Sequence, residues 1–108
     1  MSGLSTHVLD TTTGMPGVAI KVTHSINGIV QASATTNSDG RVTDLLEGKS
    51  LASGSHTLTF EVAPYFAKEN RETFYANINI DFIVTDTTRH YHVPLLLSPF
   101  SFSTYRGS

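Results

Sequence analysis

Apolar residues recur with a period of two along most of the chain. Val18, Ile20 and Val22 alternate with Ala19, Lys21 and Thr23; Leu58, Phe60 and Val62 with Thr57, Thr59 and Glu61; Ile78, Ile80 and Phe82 with Asn77, Asn79 and Asp81. Successive side chains of a strand point to opposite faces, so this alternation predicts half-buried strands of an antiparallel sheet. Turn-forming clusters separate the strands: Gly14-Met15-Pro16-Gly17, Asn27-Gly28, Ser38-Asp39-Gly40, Gly48, Gly54 and Ser98-Pro99. The Asn27-Gly28 pair between apolar residues predicts a tight hairpin. The rhythm fails only over Pro64–Arg71, where proline precedes good helix formers; a short helix beginning at Pro64 is expected there. About eight short strands and one helix read as an all-β fold, an eight-stranded antiparallel β-sandwich. No repeat, linker or low-complexity tract divides the 108 residues, which predicts a single domain over 1–108.

The segment His90–Leu97 carries more than core. Alternation places Tyr91, Val93, Leu95 and Leu97 on one face and His90, His92, Pro94 and Leu96 on the other. The second set mixes titratable and apolar residues, as a face does when it lines a pocket or meets another subunit. Pro94 removes a ladder donor, which is unusual inside a strand. In the first strand, Thr6 and Val8 share a face opposite Ser5, His7 and Leu9. In the last, Ser101, Ser103 and Tyr105 lie opposite Phe100, Phe102 and Thr104. With Val8, Val93 and Phe102 turned inward, His7, His92 and Tyr105 all fall on outer faces. Parity permits these strands to be neighbours without requiring it.

Composition removes several function classes. The formal charge is −2 with both signs scattered, which lacks the clustered cationic footprint of a nucleic-acid binder. There is no cysteine, so disulfides, thiolate zinc sites and thiol nucleophiles are excluded. The start, Met1-Ser2-Gly3-Leu4, lacks a signal-peptide pattern, and no apolar run approaches a membrane span; a cytoplasmic protein without membrane contact is expected. No Gly-x-Ser-x-Gly elbow is present. His90 and His92 point the same way and, with His7, raise the possibility of a zinc site, but these motifs offer no acidic partner, so neither metal nor cofactor is expected.

Four motifs, in order and spread over nearly the whole chain, carry a resemblance. They are Ser5-Thr6-His7-Val8-Leu9-Asp10, Thr36-Asn37-Ser38-Asp39-Gly40-Arg41, the run from His90 to Pro99, and the ending Tyr105-Arg106-Gly107-Ser108. Together they resemble the transthyretin-related 5-hydroxyisourate hydrolases, for which a terminal Tyr-Arg-Gly-Ser is a hallmark. The departure is Phe102, where tyrosine is frequent in that family. The resemblance implies a transthyretin-like sandwich assembled as a homotetramer, with active sites where subunits meet. It implies His7, Arg41, His92 and Ser108 as catalytic positions and His7, Arg41 and Tyr105 as substrate-binding ones. Arg106 and Gly107 would support the tail.

The implied reaction opens the six-membered ring of 5-hydroxyisourate, a step of urate degradation, by adding water to a ring carbonyl carbon and breaking a C–N bond. Water is a poor nucleophile, so a general base with a pKa near neutrality helps, and histidine is suited to it. One of His7 and His92 would activate water, and the other could protonate the leaving nitrogen. The Arg41 guanidinium would anchor substrate or stabilise developing negative charge, with Ser108 and Tyr105 as hydrogen-bonding groups. Without the resemblance, Arg41 reads as a solvated turn residue, Tyr105 as packing and Arg106–Ser108 as a frayed end. His24 and His56 match no motif and read as ordinary surface or hydrogen-bonded residues. The competing function is a transthyretin-like carrier of an aromatic small molecule, but a passive carrier wants an apolar channel with few orienting polar groups. A third reading, a structural or adhesive sandwich, would normally carry a secretion signal.

Overall fold

The alternating segments become strands of two facing sheets in the computed structural model, which describes residues 3–107. The chain order is β1 (Gly3–Asp10), β2 (Met15–Pro16), β3 (Lys21–Ile26), β4 (Ile29–Thr35), β5 (Arg41–Val42), β6 (Gly54–Glu61), α1 (Ala63–Ala67), β7 (Ile78–Val84), β8 (His90–Leu97) and β9 (Phe102–Thr104). One sheet runs β2-β1-β8-β9, with β5 also pairing β1; the other runs β4-β3-β6-β7. The sandwich is therefore as expected, with nine strand segments among the described residues because β2 and β5 are two-residue pairings. Every strand pair is antiparallel except β1 with β8, which runs parallel from Gly3↔His90 to Asp10↔Leu97. Thr6 pins that pair, its hydroxyl donating to the Val93 carbonyl at 2.6 Å.

Local chemistry sets the element ends. Asn27 and Gly28 take φ of 50° and 82°, and Ile26 pairs with Ile29 across them, as a tight hairpin demands. The second apolar segment begins its strand at Lys21 rather than Val18, because Ala19 adopts φ of 63° and leaves Val18 exposed. Helix α1 starts one residue before Pro64, which sits in the first turn where its missing N–H costs nothing. It closes with Asn70 at φ 56° and the Arg71 N–H bonded back to the Phe66 carbonyl at 3.0 Å, a left-handed cap. Cap and helix together cover the expected Pro64–Arg71.

The inner faces bury Leu4, Val8, Val22, Leu58, Phe60, Leu95 and Leu97, and α1 contributes Phe66. Phe102, expected to face the core, is instead 39% exposed and rests edge-on against Tyr75. It lies on β9, the edge strand of its sheet, where the opposite sheet does not cover it.

Pro94 has a physical account. The His92 carbonyl accepts from the Gly107 N–H at 2.8 Å, and the Pro94 carbonyl accepts from the Thr104 hydroxyl at 2.7 Å. Within a strand a residue's nitrogen and carbonyl point to the same side, so the Pro94 nitrogen faces the tail between Thr104 and Gly107. Strand β9 has ended there, and no ladder donor is lost. No helix among the described residues is long and apolar enough to cross a membrane.

Candidate active site

The parallel register of β1 and β8 writes one row of residues on the outer face. It pairs Gly3 with His90, Ser5 with His92, His7 with Pro94 and Leu9 with Leu96. Arg41 joins the row because β5 pairs with β1 in the register His7↔Arg41. A built turn holds it there. The Asn37 side-chain oxygen accepts from the N–H groups of Asp39 (2.9 Å) and Arg41 (3.0 Å), and Gly40 donates to the Asn37 carbonyl at 2.9 Å. Gly40 takes φ of 74° and its carbonyl accepts from Val8 N–H at 2.7 Å. A Cβ there would come within 2.5 Å of the Val8 carbonyl oxygen, so only glycine lets the turn dock on β1.

Between these elements lies a cleft of about 300 Å³ lined by Ser5, Thr6, Arg41, Val42, Thr43, His90 and His92. The Ser5 hydroxyl stands 2.8 Å from His92 Nδ1 and 2.8 Å from His90 Nε2. Gly107 packs its Cα against the His92 ring, where a Cβ would come within 2.5 Å of Cδ2. Burial depresses the His92 pKa, and the positive neighbourhood of Arg41, His90 and His7 depresses it further. His7 is depressed in the same way, by burial and then by Arg41, against an opposing pull from the Asp39 backbone and carboxylate. Both imidazoles are thus kept neutral beside a fixed cation, the state in which a histidine can accept a proton from water.

The structure brings His7, Arg41, His92 and Gly107 together. Tyr105 and Arg106 line an adjoining cleft of about 250 Å³ with Ile80, Phe82, Tyr91 and Val93, and His92 borders both clefts. The Arg106 guanidinium lies over the Tyr91 ring at 4.3 Å, anchoring the tail that Gly107 joins to β8. Ser108 lies outside the described residues. Among the described residues no three His, Asp or Glu side chains are grouped to hold a metal ion. His90 and His92 are turned to Ser5 instead. Sequence reasoning missed Ser5 and Thr43 as lining residues and weighed His90 only as a metal ligand. Ser5 carried a usable signal, since it shares its strand face with His7.

The family model described as HIUase/Transthyretin matches residues 4–107. A 5-hydroxyisourate hydrolase of Deinococcus radiodurans is 44% identical, over 98% of this chain and 96% of that protein. The solved structure of Klebsiella pneumoniae 5-hydroxyisourate hydrolase superposes with a TM-score of 0.91 at 39% identity, covering all of both chains. Sea bream transthyretin, solved with thyroxine, shares the fold at a TM-score of 0.90 and 23% identity, over 97% of this chain and 94% of that one. A match that runs nearly end to end, at this identity and with the same fold, places the chain in the HIUase/Transthyretin family.

Proposed function

We propose that the protein is a metal-independent hydrolase that opens the six-membered ring of 5-hydroxyisourate to 2-oxo-4-hydroxy-4-carboxy-5-ureidoimidazoline in urate degradation. The observation that carries this reading is the convergence of two neutral histidines and one guanidinium on a single open face, set by the β1–β8 and β1–β5 registers. His92 and His7 supply the base that deprotonates water and the acid that protonates the leaving ring nitrogen. Arg41 holds the electron-rich ring and the oxygen that gathers charge as water adds. Tyr105 and Ser108 hydrogen-bond the substrate, with Arg106 and Gly107 fixing the tail that carries Ser108. A carrier would gain nothing from holding titratable groups neutral beside a cation. The decisive assay mixes the protein with freshly generated 5-hydroxyisourate and follows its ultraviolet band. Accelerated decay is expected, and tight binding without decay would replace the hydrolase with a carrier.

The working form is a homotetramer of single-domain chains with sites at subunit interfaces. Supporting this are Leu9 and Leu96, half-buried on the outer face beside the cleft, and the exposed Ile83, Phe100 and Tyr105. Sedimentation should give about four chains per particle, and Leu96→Glu, which would desolvate a charge at that face, should weaken assembly and turnover together. A fully active monomer would overturn it. The cysteine-free sequence fits a reducing compartment, and the cytoplasm is the proposed location.

A further inference from the structure

We propose that Ser5 and His90 are positioning residues that form a proton relay behind His92. The inference rests on the hydrolase reading and concerns how its base is reset.

The geometry is specific. Ser5 Oγ lies 2.8 Å from His92 Nδ1 and 2.8 Å from His90 Nε2, so one hydroxyl bridges two imidazoles of the same strand. The register forces this: His90, Ser5 and His92 share the outer face, with Ser5 directly across from His92. Both rings are seated on glycine. A Cβ at Gly3 would come within 2.5 Å of His90 Nδ1, and one at Gly107 within 2.5 Å of His92 Cδ2. Ser5 is 8% exposed, whereas His90 is open to solvent. A buried hydroxyl therefore links the cleft histidine to a histidine that water can reach.

A serine hydroxyl has one hydrogen, so the chain has two arrangements. In the first, His92 Nδ1–H donates to Ser5 Oγ, the Ser5 hydroxyl donates to His90 Nε2, and His92 Nε2 presents a lone pair. In the second, His90 Nε2–H donates to Ser5 Oγ, Ser5 donates to His92 Nδ1, and His92 Nε2 carries a proton. Attack of water switches the first into the second. Water gives its proton to His92 Nε2, His92 Nδ1 gives one to Ser5 Oγ, and Ser5 passes its own to His90 Nε2. His90 then releases its Nδ1 proton to solvent, leaving every group neutral. Once His7 has protonated the leaving nitrogen, His92 Nε2–H gives its proton back to solvent in the emptied cleft and the same chain runs backwards, with a solvent proton returning to His90 Nδ1.

The relay answers an electrostatic problem. The charged groups facing His92 are Arg41 from β5 and, when protonated, His7 from β1 and His90 on its own strand. A cation retained on His92 would sit against Arg41; the chain moves it to the outer residue of the row.

The test compares wild type, Ser5→Ala, Ser5→Thr and His90→Gln, each checked for an unchanged thermal midpoint. Turnover is followed from about pH 5 to 8, across the histidine range, and ring ¹⁵N NMR reads the His92 tautomer. Ser5→Ala should lower kcat about 10–100-fold, the lower part of the range for an impaired acid–base group, with KM little changed. It should also move the acid limb of the profile and shift the His92 ¹⁵N signals. Ser5→Thr, which keeps the hydroxyl, should recover most of the rate. His90→Gln, which keeps hydrogen bonding but cannot carry the proton, should leave the His92 ring in place and still slow kcat. An unaltered pH profile and unaltered His92 signals in Ser5→Ala would overturn the relay while wild-type turnover stands. A wild type that does not hydrolyse 5-hydroxyisourate would overturn the hydrolase reading itself, and the relay with it.

Discussion

Two histidine pairs sit in this molecule, and their surroundings give them opposite characters. On the outer face, His90 and His92 meet through the Ser5 hydroxyl beside Arg41 and an open cleft. In the other sheet, His24 and His56 bond directly, Nε2 to Nδ1 at 2.8 Å, and stack with centroids 5.0 Å apart. Both rings of that second pair are buried, at 1% and 0% exposure. His56 Nε2 lies 2.8 Å from the Ala52 carbonyl and must donate to it, so His56 Nδ1 accepts and His24 Nε2 donates. Burial, with His56 alongside, pushes the His24 pKa down to about 4. This pair is locked in one tautomer chain with no route to substrate, whereas the outer pair keeps a reversible hydroxyl between its rings. Residue type does not make a histidine reactive; a switchable partner and access do.

The sharpest way to break the comparison is to remove one ring from each pair. His92→Ala should cut turnover about 10²–10⁴-fold while the protein stays folded, because the side chain lies outside the core. His7→Ala and Arg41→Ala should fall in the same range. Normal turnover in a folded His92→Ala protein would remove the site assignment.

His56→Leu should do the reverse. It leaves the His24 N–H and the Ala52 carbonyl without partners, at a cost of about 2–4 kcal/mol in stability. Turnover per folded molecule should be unchanged, so a denaturant titration beside an activity assay separates the two pairs.

Acid sharpens the contrast. A histidine whose folded pKa lies below its unfolded value of 6.5 stabilises the fold above 6.5, and that stability is lost as pH falls toward about 4. Unfolding free energy should therefore decline by about 2–3 kcal/mol across that window, and His24→Gln, which keeps the bond to His56 without titrating, should flatten the decline. Since the His7 and His92 pKa values are also depressed, the acid limb of the rate profile should lie below pH 6.5. A limb above that value would contradict the depression assigned to burial and to Arg41.

The smallest expected effect tests the seat of the His92 ring, the proposed base. In Gly107→Ala the new methyl presses on His92 Cδ2, and a ring displaced by a few tenths of an ångström should lose about tenfold in kcat with little change in thermal midpoint. Deleting Arg106–Ser108 should do more, depressing turnover much further than it depresses stability. A truncated protein at the wild-type rate would make the tail a frayed end.

Much of this was written in the sequence. Period-two alternation fixed the strands β6, β7 and β8 and only the first residues of β3, because a half-buried strand must separate apolar from polar side chains by parity. Asn27-Gly28 fixed its hairpin, and Pro64 the start of the helix to within a residue, since each restricts the backbone locally. The four motifs pointed to His7, Arg41, His92 and the tail. Parity even placed Ser5 on the His7 face, though not beside a histidine. The tertiary structure alone decided that β1 lies parallel to β8, more than eighty positions away, and so seated Ser5 between two rings. It also decided that Arg41 faces His7, that Phe102 lies on an uncovered edge, and that Pro94 faces a gap in the ladder. Alternation reports which way a side chain points. Which strand lies alongside is set by packing between distant segments, and no local pattern encodes it.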